Sequence, residues 1–446
     1  MLRKRLTGFC ALMMTVMLMI SLLTGCGGAA TMTYGDGGAD APTLTVYMLD
    51  ASERFYNIGI LAALEKHAAQ VSLNKGVNVE VVSFLNRNDL KKRLEKEIAA
   101  GKGPDVVISS SELTLDVMEL ARSGALYDMA DVIAADEEFT DENYYTGVMQ
   151  AGVIDAQQYV IPLSFSMPIL ASTPWRLEML GLDFEGKSAP EIYAQLIECL
   201  EREEEPQVGN QLNVSSETFL TLAAAAGDPL VPNDSGEAGE GSERLRDYID
   251  LTLQLTIHTT RWRSANYSLG SVDRSVYGQM PIFFADANAS PNYLRQVYQY
   301  FKSAGRGEDF TLFPLITDDG HTCVQVKDFA AVMAGCENPE LAWELLRGVM
   351  DRAQHMGNYD ACVFNRMNME SCLKGISGPG GGSQLPQRVT DTLTAAYADI
   401  GDAVIYQSIP EIDACEDAVD DYFADKISYD ELVDIVSRAM KVRRAG

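Results

Sequence analysis

Two short polar clusters hold the side chains best suited to grip a small polar molecule: Asp50, Ser52, Glu53 and Arg54 in one, Ser109, Ser110, Ser111 and Glu112 in the other. Hydroxyls donate and accept, carboxylates accept, and a guanidinium donates in a fixed fork, so both clusters suit hydrogen bonding to a solute. The residue types that bond cleavage needs are present but not assembled. Ser72 with Lys75 and Ser371 with Lys374 have a Ser-x-x-Lys spacing, yet neither has the companion motifs that activate such a serine. His67, His258, His321 and His355 stand apart, with no His-Glu-x-x-His pair and no cysteine cluster to hold zinc. The glycine-rich run at 379–382 lacks the Lys-Ser/Thr of a phosphate loop. Acidic pairs such as Asp318/Asp319 and Asp420/Asp421 read as solvated turns and helix faces, although sequence leaves a glycoside-hydrolase carboxylate pair open. The expectation is a protein that binds and does not catalyse, with no catalytic residue, metal or cofactor.

The elements that must position these clusters alternate along the chain. Residues 44–48, 77–84 and 105–109 read as strands, and 58–69, 89–100 and 112–123 as helices. This order implies a parallel sheet covered by helices, an α/β architecture. Leu90, Leu94 and Ile98 form an i, i+4, i+8 stripe stopped by Gly101, and the spacing of Ser109 and Glu112 fits a capping box. Ser188 with Glu191 and Ser428 with Glu431 repeat that capping signal, and helices are expected at 243–255, 339–351 and 429–442. Ligands bind at the carboxyl ends of parallel strands, where loops and helix N-termini converge. That rule selects the loops at 49–55, 85–88 and 109–112, which contain both polar clusters.

Before residue 43 the chain carries signals of another kind. Arg3, Lys4 and Arg5 precede a mainly apolar stretch over residues 9–23, the length of a signal core rather than a membrane span. Leu23-Thr24-Gly25-Cys26 then resembles a bacterial lipoprotein signal. Cleavage before Cys26 would leave its thiol carrying a diacylglyceryl group, and two acyl chains suffice for stable anchoring. Residues 1–25 therefore read as a leader, and 26–42, rich in Gly, Ala, Thr and Asp, as a flexible tether. The remaining chain exceeds the roughly 250–300 residues at which one core stops growing, so two lobes are expected. The 35 basic residues, less three in the leader, face 64 acidic ones, a formal charge of about −32. Such a surface excludes nucleic acid as a partner and leaves the lipid anchor as the only membrane contact. Cys199, Cys323, Cys336, Cys362, Cys372 and Cys415 permit disulfides, with Cys323/Cys336 and Cys362/Cys372 the closest in sequence, or remain free buried thiols; their spacing fits no metal framework.

Several weak motifs, in order, resemble the family 1 extracellular solute-binding proteins of ABC importers, the group that includes maltose-binding protein. They are Gly103-Pro104-Asp105-Val106-Val107-Ile108, Gly124-Ala125-Leu126-Tyr127-Asp128-Met129, Tyr159-Val160-Ile161-Pro162-Leu163, Gly278-Gln279-Met280-Pro281-Ile282 and Asn338-Pro339-Glu340-Leu341-Ala342-Trp343-Glu344, followed by a closing helix over 427–440. The resemblance implies a two-lobed fold, each lobe a mainly parallel sheet flanked by helices, with hinge crossings between lobes. It assigns 43–160 and 287–335 to the first lobe, and 161–286 and 336–446 to the second. Its cleft positions fall on Asp50, Glu53, Arg54, Ser109, Ser110, Ser111, Glu112, Ser164, Ser166 and Asp286, with Phe219 and Trp262 facing the solute from the second lobe. Glu112 and Asp286 are the expected charged acceptors from opposing lobes, and Ser164 and Ser166 the hinge hydroxyls. Ser109, Asp286 and Glu416 stand where the sugar-binding members place stacking aromatics, and Ala171-Ser172-Thr173-Pro174-Trp175 replaces a Tyr-Asn-Lys-Asp tract. The resemblance thus implies a monomeric, lipid-anchored receptor on the extracellular face of the cell membrane. It would capture a small polar solute, sugar or sugar-like, and deliver it to a membrane ABC permease. A surface lipoprotein of the same fold that senses or scaffolds is the alternative.

Overall fold

The computed structural model describes residues 29–35, 41–49, 58–110, 117–167, 169–202, 282–285, 310–317, 320–351, 364–377 and 385–405, with residues 294, 298, 299 and 302 and parts of 417–435. Strand β1 (Ala29–Tyr34) is followed by β2 (Thr43–Leu49), helix α1 (Ile58–Lys75), β3 (Asn78–Phe84), α2 (Arg87–Ala99), β4 (Val106–Ser110) and α3 (Val117–Arg122). From β2 onward this is the expected alternation. β2 pairs parallel with β3 on one side and with β4 on the other. Because crossovers between parallel strands are right-handed and these two step in opposite directions from β2, α1 and α2 must cover opposite faces. The side chains agree. Tyr47 donates its hydroxyl to Glu97 at 2.8 Å and lies under the Arg93 guanidinium, both on α2, so Val46 and Met48 point the other way. All three are buried, which is why these strands read as near-continuous apolar runs.

The chain continues through α4 (Ala130–Ala134), a 3₁₀ turn (Thr146–Gly152) and a small hairpin of β5 (Val153–Ile154) and β6 (Gln157–Gln158). β7 (Val160–Ser166) then leads after two residues into β8 (Ile169–Ser172), followed by α5 (Pro174–Leu180) and α6 (Ala189–Arg202). The capping box expected at the start of α6 is present, since the Ser188 N–H donates to Glu191 at 2.9 Å. β9 (Ile282–Ala285) and β10 (Thr311–Pro314) flank β8, and β11 (Thr322–Val332), α7 (Pro339–Met350), α8 (Arg366–Ser377), α9 (Gln387–Ala398) and β12 (Ile400–Ile405) complete the order. The strands form two principal sheets, β1-β3-β2-β4-β11-β12 with β7 also on β11, and β10-β8-β9.

Three expectations are corrected. Residues 26–42 are not all spacer, because β1 pairs antiparallel with β3 from Ala29↔Phe84 to Tyr34↔Val79. β10, placed by sequence in the first lobe, pairs with β8 of the second sheet, so the chain returns to the first sheet between Pro314 and β11. Residues 336–446 do not all complete the second lobe. α7 packs on α1, where Gly348 lies so close that an added Cβ would sit 2.5 Å from His67 Nδ1. Trp343 Nε1 and Arg347 on α7 also bind Asp136 at 2.8 Å each, and β12 pairs parallel with β11. The three described strands of the second sheet pair antiparallel. Cys199, Cys323 and Cys336 are buried and not disulfide-bonded, so Cys323 and Cys336 are not bridged, and burial pushes the Cys336 thiol up to about 12. The Ser428–Glu431 capping box forms in full. The expected helix at 243–255 lies outside the described residues.

His67, half-buried between α1 and α7, is held below the usual histidine range, first by burial and then by the charge of Lys66. An unfolded histidine takes up its proton near pH 6.5, whereas the folded one resists it. Its contribution is therefore present in full above about pH 6.5 and falls as pH drops below that value. Urea titrations between about pH 7 and pH 5 should show stability falling with pH. The same series on His67→Gln should have a shallower slope, and an unchanged slope would refute the assignment.

Candidate functional site

The first sheet presents the carboxyl ends of β2, β3, β4 and β7 at Leu49, Phe84, Ser110 and Ser166. β11 runs antiparallel between β4 and β7, and one residue, Asp328, is the register partner of both Ser110 and Ser164. Phe329 is the partner of Ser109 on one flank and of Pro162 on the other, so the β7 ladder shifts between Asp328 and Phe329 and a bulge falls at Leu163. An extra residue of this kind bends a strand and re-aims the side chains after it. Beyond the bulge, Phe165 points into an aromatic cluster with Tyr145 at 5.8 Å, Phe364 at 5.5 Å and Tyr397 at 6.3 Å. Ser164 and Ser166, on either side of Phe165, therefore point the opposite way.

At this junction a carboxylate is taken out of water. Asp328 is 5% exposed and Ser164 is fully buried. The Ser164 hydroxyl donates to the Asp328 carboxylate in a short hydrogen bond, and the Asp328 N–H donates back to Ser164 Oγ at 3.2 Å. Burying a charge is tolerable only when hydrogen bonds replace its water, and this reciprocal pair supplies part of that replacement. Two residues further, the Ser166 hydroxyl is buried and has no hydrogen-bond partner among the described residues. Leaving a hydroxyl in that state costs about 1–3 kcal/mol.

Of the site residues expected from sequence, the structure thus brings Ser109, Ser110, Ser164 and Ser166 together at one sheet edge. Ser109 is buried inside β4, which extends through Ser110, so Ser109 lies in the strand and not at a helix cap. Asp50, Glu53, Arg54, Ser111, Glu112, Phe219, Trp262 and Asp286, like Cys26, lie outside the described residues. Asp328 was missed. Its signal was a charged pair, Lys327-Asp328, inside the run from Cys323 to Met333, which is otherwise apolar but for Gln325. A separate open groove of about 920 Å³ lies between α5, β10 and α9, with Phe184 and Phe313 edge to face at 5.6 Å and Asp183, Glu185 and Asp399 among its lining residues. It shares no residue with the Asp328 cluster.

The sequence profile of the bacterial extracellular solute-binding proteins matches residues 62–359. The chain belongs to this family. Members bind solutes and are not enzymes, so this solute-binding protein is a binding protein, as its lack of assembled catalytic groups led us to expect. Its fold is that of two-lobed solute-binding proteins of known structure. One is an ABC substrate-binding protein from Listeria monocytogenes solved with cycloalternan, 14% identical, with 91% of this chain and 99% of that one covered at a TM-score of 0.54. Another is a family 1 extracellular solute-binding protein from Alicyclobacillus acidocaldarius, 14% identical over 91% and 99% of the two chains, with a TM-score of 0.58. A third is the cyclic alpha-maltosyl-1,6-maltose binding protein from Arthrobacter globiformis, 15% identical over 91% and 100%, with a TM-score of 0.52. No curated protein matches the chain in sequence. Among the described residues no helix is long and apolar enough to cross a membrane.

Removing the Ser164 hydroxyl takes a donor from a buried carboxylate. Ser164→Ala is expected to lower unfolding stability by about 1–3 kcal/mol in urea titrations. A loss within error of zero would mean that Asp328 does not depend on this bond.

Proposed function

We propose that this solute-binding protein is a lipid-anchored extracellular receptor that closes two lobes around a small polar solute and delivers it to a membrane ABC permease. The observation that carries the reading is the Ser166 hydroxyl, buried and without a hydrogen-bond partner among the described residues, at the last residue of β7, one step before the chain crosses to the second sheet. A hydroxyl in that place gains a partner when a solute arrives, so its cost in the free protein becomes affinity in the complex. Glu112 from the first lobe and Asp286 from the second supply charged acceptors to opposite sides of the same solute in this reading, with Asp50, Glu53 and Arg54 as further cleft residues.

The solute class follows from the kind of group such a site accepts. Serine hydroxyls and carboxylates suit a ligand rich in hydroxyls, and two of the structural relatives carry names that record oligosaccharides, cycloalternan and cyclic alpha-maltosyl-1,6-maltose. A related chitin oligosaccharide binding protein, 15% identical with a TM-score of 0.53, extends the range of glycans among these folds. An oligosaccharide or sugar derivative is therefore the proposed solute. Closure follows from contact with both lobes, which only the closed state provides, so the solute selects that state by its differential affinity.

A thermal-shift screen of linear, cyclic and amino-sugar oligosaccharides on the soluble chain should yield at least one that raises the melting temperature. A ligand at 100 times its dissociation constant stabilises by about 2.7 kcal/mol. For that glycan, Ser166→Ala should weaken binding about tenfold, the equivalent of about 1.4 kcal/mol, without lowering the stability of the free protein. Glu112→Ala and Asp286→Ala should each weaken it further. Unchanged affinity in all three variants would sink the site, and uptake of the glycan that persists in cells lacking the protein would favour a sensing or scaffolding role.

A further inference from the structure

The N-terminal strand connects two features that sequence reading kept apart. β1 begins at Ala29, and the lipobox cysteine is Cys26. Three peptide links of any conformation reach at most about 11 Å. Because β1 is antiparallel to β3, its first residue, Ala29, is the register partner of Phe84, the last residue of β3, and not of its first. The strand therefore enters the sheet at the carboxyl edge, the edge that carries Ser110, Ser166 and the loops of the proposed cleft.

The strand is fitted to its place. Six consecutive residues pair with β3. Ala29 and Tyr34 pack against the main core, and the Tyr34 hydroxyl lies against Glu65 of α1. The strand ends at Gly35, whose φ of +123° is rarely open to residues with a side chain, and whose added Cβ would come within 2.9 Å of the Val77 carbonyl oxygen and also meet the Ser72 hydroxyl. β1 is also the outermost strand of its sheet, with β3, β2 and β4 between it and β11. An attachment there holds the first lobe and leaves the crossings at β7 and β11 unencumbered. Next to Phe84, Leu85 is 62% exposed on the same edge.

The geometry points to β1 as a strap that converts the lipid anchor from a loose leash into an orienting mount: it holds the cleft edge of the first sheet against the bilayer surface and turns that edge toward the membrane. This rests on the lipidation of Cys26 in the proposed function, and goes beyond it in fixing which face meets the membrane. A receptor so mounted presents its solute toward the bilayer that holds the permease, with the second lobe free to swing.

The test uses the full lipoprotein in phosphatidylcholine vesicles that contain a headgroup-labelled acceptor lipid. A fluorophore on an encoded ketone amino acid replaces Leu85 at the cleft edge or, in a second protein, Lys102 at the opposite edge. Energy transfer should place position 85 closer to the membrane by about 20 Å, six strand rises of about 3.3 Å. Inserting about twenty Gly/Ser residues between Gly28 and Ala29, a coil of about 25 Å, should abolish that difference. Gly35→Val, which unseats the strap, should shrink it while the protein stays in the vesicles. Equal heights in a protein whose acyl group is verified by mass spectrometry would overturn the strap and leave the anchor standing, and so would a difference that survives the insertion. A Cys26 that carries no acyl group would end both.

Discussion

One carboxylate sets the terms for the middle of this molecule. Asp328 lies where β4, β11 and β7 meet, with only a twentieth of its surface exposed. A charge so placed must receive hydrogen bonds from groups held at fixed distance, or the strands around it separate to admit water. Ser164 meets that demand on the β7 side, and the exchange of bonds in both directions locks the register of two strands that are 164 residues apart in sequence. The bulge at Leu163 follows from the same lock. With Asp328 opposite Ser164 and Phe329 opposite Pro162, one residue of β7 has no partner, and the strand bends there.

The bend lies close to where the chain leaves the first sheet for the second. β7 ends at Ser166, residues 167 and 168 follow, and β8 opens the second sheet at Ile169. β11 makes the reverse journey, since residues 315–321 join it to β10 of that sheet. Rotation of one lobe against the other has little chain to deform: two residues in the first of these crossings, seven in the second, and Asp399 alone where α9, packed on β10, leads into β12 on β11, while the Asp328 lock and the Phe165 aromatic cluster brace the first-sheet side. The Ser164 and Ser166 hydroxyls, proposed to face the solute, are thus mounted on a strand rather than on a loop, which keeps their positions fixed as the lobes move.

Sequence revealed some of this and concealed the rest for physical reasons. The β2-α1-β3-α2-β4 layering was legible because strands buried on both faces must be apolar throughout and their helices must carry stripes, as Leu90 and Leu94 do. Ser109 and Ser110 were singled out by the rule that such sheets bind at strand carboxyl ends, and Ser164 and Ser166 by the family resemblance; the structure sets all four toward that edge of the first sheet. Asp328 was not, since a lone charged pair within an apolar run carries no sign of which strands will flank it. β1 was hidden by its composition: Ala, Thr and Met form an edge strand here because only one flank pairs and only part of it touches the core, so the usual apolar signal is weak. The attachment of α7 and β12 to the first sheet was hidden because pairing over long sequence separations leaves no local trace.

The account stands or falls on a hinge at the Ser164–Asp328 junction that closes when solute is bound. Small-angle X-ray scattering of the soluble chain, alone and saturated with a glycan whose binding is verified by calorimetry, tests this most directly. The account predicts a smaller radius of gyration with the glycan present. Superimposable curves under confirmed saturation would contradict it.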